Sequence, residues 1–246
     1  MGPARRAGRG HARCSAPVRR RAAGRVRRPR RGGRAVVHPD LPGRDLPLHQ
    51  LVGGPGLAAH LGRSIAALHE LDTATVTDTG LPGYTGEECR TRLLAELDLM
   101  AQTGRVAPEV LRRWEEALED VRAWRFRPTF VHGDLSPERV LSDRERVLAV
   151  TDFTSAHVGD PAADLAWLIA AAPEDALESV LESYAMHRAE GAGSMLLARA
   201  QLLSEMALGR WLLHGLRTGD SLVIDEAEAM LADLAIAVDE AAPIIG

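Results

Sequence analysis

The chain has 246 residues, 46% hydrophobic and 26% charged, with a formal net charge of −4. That length supports one large core or two modest ones, and no apolar run approaches the roughly 18 residues of a membrane span. No membrane partner is therefore expected. Two cysteines, Cys14 and Cys89, are too few for a disulfide framework or a metal site, which suits a reduced, cytoplasmic protein.

Charge is placed unevenly. Residues 1–34 hold 13 Arg and no acidic residue, leaving 17 of the 30 basic residues to face all 34 acidic ones in the remainder. So acidic a body is not a nucleic-acid binder by its overall field, and nucleic acid is not expected as a partner. The field suits a cationic ligand, but plain solubility is the favoured account of it. There is no lysine anywhere.

Taken in order, residues 1–34 lack apolar periodicity, and Gly and Pro interrupt every helix; the segment is predicted to be disordered. It reads as a nucleic-acid-binding arm, as a transit peptide spoiled by its Gly and Pro, or as the accidental product of GC-rich DNA in a shifted frame, the last being favoured. Ala35–Val37 looks like a short strand, with a turn through Gly43. Gly53-Gly54-Pro55-Gly56 caps a helix that runs to Leu71 with Leu57, Leu61, Ile65, Leu68 and Leu71 on one face. His69, with no evident partner, is expected to make a structural hydrogen bond rather than to act in catalysis. Residues 72–85 read as a loop; Glu87–Thr103 and Pro108–Trp124 read as helices, with Trp114 and Trp124 as packing residues.

Residues 130–164 carry the chemistry. Phe130 and Val131 end a short strand. His132-Gly133-Asp134 is a tight polar turn, with Gly133 free to take an unusual backbone angle. Arg139–Leu141 and Val147–Asp152 are apolar runs joined by Ser142-Asp143-Arg144-Glu145-Arg146, the pattern of a small hairpin. That hairpin would bring Asp152 close to the loop that carries Asp134. Two carboxylates on adjacent loops suit two tasks, taking a proton from a hydroxyl and holding a hard divalent cation. Asp160-Pro161 is a good helix start. Three more helices follow at 173–188, 194–218 and 221–240. Their Asp175, Glu178, Glu182, Glu205, Asp225, Glu226 and Glu228 are acidic candidates for an amine-bearing ligand, though solvated helix faces account for most of them. Periodicity does not decide whether Trp211 and His214 face a pocket or the core.

The ordered set His132-Gly133-Asp134-Leu135, Val150-Thr151-Asp152-Phe153, then Asp160-Pro161 with Asp164, resembles the aminoglycoside/macrolide phosphotransferase family, a branch of the protein-kinase-like fold. The likeness to macrolide 2′-phosphotransferases is greatest, through the His38-Pro39-Asp40-Leu41-Pro42-Gly43 stretch and the residue at 139. The resemblance implies an α+β, mostly helical fold: a kinase-like large lobe over residues 35–246, with a hinge at about 35–50 and a small β-hairpin carrying the catalytic loop. It implies Asp134 as catalytic base, His132 bracing the loop, and Asp152 as the Mg²⁺ ligand. Asp160 and Asp164 would fix the catalytic loop and cap a helix. The implied reaction moves the γ-phosphoryl group of GTP or ATP to a hydroxyl of an amine-bearing small molecule, such as a macrolide or aminoglycoside.

Two features depart from the kinase pattern. Position 139, where kinases place a metal-binding Asn, is Arg, which has no acceptor atom. Arg139 either contacts a phosphate directly or is a solvated hairpin residue. The Gly-rich phosphate loop and Lys strand that precede a kinase hinge have no counterpart, so weak or no turnover is expected. The alternatives are a non-catalytic module of the same fold that binds a small molecule or a protein, and an Arg-arm nucleic-acid binder.

Overall fold

The computed structural model describes residues 41–191, 193–240 and 242–245. The readings placed on residues 1–40, including the Arg-rich segment, Cys14 and the strand at Ala35–Val37, lie outside the described residues. Helices dominate. They are α1 (Leu57–His69), α2 (Thr73–Thr77), α3 (Gly86–Gln102), α4 (Pro108–Glu119), α5 (Ala166–Ala171), α6 (Glu174–His187), α7 (Leu196–Thr218) and α8 (Ser221–Glu240). Between α4 and α5 lie four of the five described strands: β2 (Thr129–Val131), β3 (Val140–Ser142), β4 (Val147–Val150) and β5 (His157–Gly159). The fifth, β1 (Arg44–Asp45), comes earlier and adds to β3, giving a three-stranded sheet in the order β1-β3-β4; β2 and β5 form a separate antiparallel pair.

Local chemistry explains the main boundaries. Thr85 caps α3 through a reciprocal capping box: its hydroxyl accepts from Glu88 N at 3.2 Å, and its own N–H donates to Glu88 Oε2 at 2.8 Å. Pro108 opens α4 at the first helical position, where a missing N–H does no harm. That helix stops at Glu119, short of the expected Trp124, because the chain leaves helical angles at Asp120. The supposed loop 72–85 contains α2; its Thr-Ala-Thr-Val-Thr sequence is rich in β-branched residues and hides a helix from propensity.

The core is one apolar cluster shared by the helices. α1 buries Ala58, Leu61, Ile65 and Ala66 against α6, which contributes Ala176, Val180 and Tyr184. Full burial of a Leu or Ile stabilises by roughly 1.5–3 kcal/mol. The crossing is close because Gly62 faces the Val180 carbonyl, where any Cβ would collide, and Ser183 Oγ donates to Ala59 O at 2.7 Å across it. α7 runs through the centre and presents Leu202, Met206 and Leu212, all fully buried. Trp114 is fully buried and Trp124 nearly so, both as packing residues. Trp114 also donates from Nε1 to the buried Glu205 at 3.0 Å.

Candidate active site

The site grows from the two small sheets. In β2–β5, Phe130 pairs with Val158 and Val131 with His157. The chain then turns at Gly133, whose φ of 79° lies in the left-handed region. A Cβ there would come 2.5 Å from Ser155 O, so only glycine lets the loop lie against the segment that precedes β5.

Asp164 holds this loop in place. It is fully buried, and it accepts from His132 N at 2.7 Å through Oδ2 and from Gly133 N at 2.8 Å through Oδ1. His69 Nε2 lies 3.1 Å from Oδ2, and His69 Nδ1 lies 2.8 Å from the Tyr184 hydroxyl. Burial, the first cause, pushes the Tyr184 phenol above its ordinary pKa. Spacing alone could not show these partners of His69, since one lies on a 3-10 turn and the other on α6.

His132 is also fully buried. Its Nε2 lies 2.8 Å from Thr151 O and its Nδ1 accepts from Asp134 N at 3.3 Å, so the ring ties the loop to the end of the hairpin. Asp160 caps the 3-10 turn Pro161–Asp164 by accepting from Ala162 N at 2.9 Å. It also pairs with Arg199 of α7 at 2.8 and 3.1 Å, both residues being buried.

The hairpin pairs Val140 with Val150 and Leu141 with Ala149, with an irregularity before Ser142. Asp143 closes its turn by accepting from Glu145 N and Arg146 N at 2.8 and 2.7 Å. Beyond β4 comes Asp152, at φ 63° and ψ 62°, the one non-glycine residue with positive φ among the described residues. Such strain collects at functional sites, and Asp tolerates it better than most side chains. The Thr154 hydroxyl first, and then Arg139, hold its carboxyl below the usual carboxylate range.

Asp134 and Asp152 both face one cation, the guanidinium of Arg139. Nη2 lies 2.6 Å from Asp134 Oδ2, Nε lies 3.4 Å from Asp152 Oδ2, and Nη1 donates to Asp134 O at 2.7 Å. This bears on the Mg²⁺ expected at Asp152. Two carboxylates are the right donors for a hard cation. Their facing oxygens, however, are engaged by a positive group that can only donate. Asp152 Oδ1 accepts from Thr154 Oγ1 at 2.7 Å. So arranged, the residues do not fit a divalent ion.

A cavity of about 730 Å³ opens beside Asp134, within the size range of small-molecule sites. Its walls include Leu81, Pro82, Leu93, Trp124, Trp167 and Leu203. Besides Asp134, the carboxylates in its lining are Asp160, paired with Arg199, and Glu96, which accepts from Arg210 at 2.7 Å. The Arg92 guanidinium lies 4.4 Å from the centre of the Tyr84 ring at the same wall. Cys89 also lines the cavity; burial, and then Asp160, push its thiol up to about 11. None of the acidic candidates of the later helices lines it. Asp175 instead accepts from Gly53 N, Glu226 from Trp211 Nε1, and Glu228 pairs with Arg105. Trp211 stacks on His214 away from the cavity.

A mostly helical lobe with a buried aspartate fixing a His-Gly-Asp loop beside a hairpin that ends in a second aspartate defines the kinase-like phosphotransferase class. The chain belongs to the phosphotransferase enzyme family, whose model matches residues 7–198 and so begins upstream of the described residues. It is similar to the crystal structure of macrolide 2′-phosphotransferase MphH from Brachybacterium faecium, at 29% identity and a TM-score of 0.66 over 79% of this chain and 68% of that one. It is also similar to a macrolide 2′-phosphotransferase type I, at 26% identity and a TM-score of 0.67 over the same shares. The GDP and kanamycin complex of APH(2")-IIia, 18% identical with a TM-score of 0.59 over 75% of this chain and 68% of that one, shares the fold. The uncharacterized protein YcbJ of Bacillus subtilis (strain 168) is 31% identical over 103 residues, which span 41% of this chain and 33% of YcbJ.

Proposed function

We propose that the protein is a phosphotransferase whose acceptor is a hydroxyl on a bulky, largely apolar, amine-bearing molecule of the macrolide type, with GTP or ATP as donor. The observation that carries this reading is the cavity beside Asp134: its walls are mainly aliphatic and aromatic, and its other carboxylates are matched by arginines. A polycationic aminoglycoside needs several unmatched acidic groups, whereas a macrolide presents a large apolar ring and an amino sugar. The similarity to two macrolide 2′-phosphotransferases supports the same choice.

In this reading Asp134, about half exposed at the cavity, accepts the acceptor's hydroxyl proton as that oxygen attacks the γ-phosphorus and the bond to the β-phosphate bridging oxygen breaks. Asp164 and His132 position the loop from beneath and do not line the cavity. A non-catalytic acceptor-binding protein is the second reading, favoured by the hold of Arg139 on Asp134 Oδ2. Calorimetry with erythromycin and kanamycin, followed by phosphate-transfer assays with GTP and ATP, tests both. Erythromycin binding with transfer supports the first, erythromycin binding without transfer the second. Preference for kanamycin would overturn the acceptor class.

A further inference from the structure

We infer that Arg139 is the resident cation of this site: it joins the Asp134 loop to the hairpin end in place of a metal ion and keeps free divalent ions out. The backbone of Arg139 is fixed from both sides. Its N–H donates to Ser136 O at 3.1 Å, and its carbonyl accepts from Thr151 N at 2.9 Å and Thr151 Oγ1 at 3.3 Å. The side chain therefore leaves the chain between the two acidic loops. There its three nitrogens divide the work, Nη1 holding the Asp134 carbonyl, Nη2 the Asp134 carboxylate and Nε the Asp152 carboxylate. Arg139 is mostly sheltered, with 26% of its side chain exposed, against 48% and 47% for the two aspartates. A guanidinium so placed brings Asp152 and Asp134 together with no bound ion, and its charge repels a second cation at short range.

The inference shares the site of the proposed reaction but needs neither the acceptor nor the donor for its test. Mn²⁺ is titrated into the full chain without nucleotide at neutral pH, and free Mn²⁺ is read by electron paramagnetic resonance. Thermal unfolding is measured in parallel with Mg²⁺ or with chelator. The native chain should take up no Mn²⁺ and melt at the same temperature in both media. Arg139→Asn, which exchanges the cation for an oxygen donor, should bind Mn²⁺ at least about tenfold more tightly than the native chain and melt higher with Mg²⁺. Arg139→Ala should move in the same direction by less, and it decides the matter if the Asn variant does not fold. Adding Asp152→Asn should remove the gain. The inference is overturned if the native chain and the variants bind Mn²⁺ alike, or if none of them does. Erythromycin calorimetry on the same samples reports separately on the acceptor reading.

Discussion

His69 and Asp164, 95 positions apart, meet in the core, with Nε2 3.1 Å from Oδ2. The same carboxylate oxygen accepts from His132 N, so α1, through its buried last residue His69, bears directly on the loop that carries Asp134. His69→Ala should leave Asp164 and the Tyr184 hydroxyl each short of a partner and destabilise by about 3 kcal/mol. Urea unfolding checks the size. Erythromycin affinity should also fall, because the loop loses its brace while the cavity walls stay in place.

Gly133→Ala places a methyl against Ser155 O at a φ of 79° and should cost about 1–3 kcal/mol. At Asp152 the strain runs the other way. Asp152→Gly relieves a left-handed residue, and Asp152→Ala keeps the strain without the polar contacts of the carboxylate. The Gly variant should therefore unfold at higher urea than the Ala variant.

The buried Asp160–Arg199 pair predicts a large asymmetry. Arg199→Met strands the carboxylate in the core and should cost about 3–5 kcal/mol. Adding Asp160→Asn should recover part of this, since the neutral amide can still accept from Ala162 N. Denaturation of the single and double variants measures both.

His60 sits on α1 beside β4 and accepts from Val147 N. Burial first, and then Arg63, lower its pKa below the ordinary 6.5. A depressed histidine favours the neutral form in the folded state, so its contribution is fully present above about 6.5 and is lost as pH falls toward the folded value. Stability measured across that window should decline on acidification, and His60→Asn should flatten the slope.

The long helices were legible because α7 and α8 repeat apolar residues at helical spacing over many turns. The hairpin was legible because a run of polar residues separates two apolar ones. β5 was not: three residues, His157-Val158-Gly159, carry no periodicity, and they are a strand only because β2 lies beside them. Motif order pointed to Asp134 and Asp152, but no spacing rule says what stands between two side chains. The position of the Arg139 guanidinium depends on Thr151 holding its carbonyl, a contact made across the hairpin. The cavity arginines, Arg92 and Arg210, gave no signal in a chain whose every basic residue is Arg.

Glu96 and Arg210 clasp α3 to α7 at the cavity, and each is more than a third exposed. A clasp that wet weakens as electrolyte is added. Added salt also dulls the pull of an acidic body on a cationic guest, so the clasp and the attraction fade together as ionic strength rises. A small, highly charged guest loses the most attraction and its binding slows most, while a bulky guest with one charge loses less.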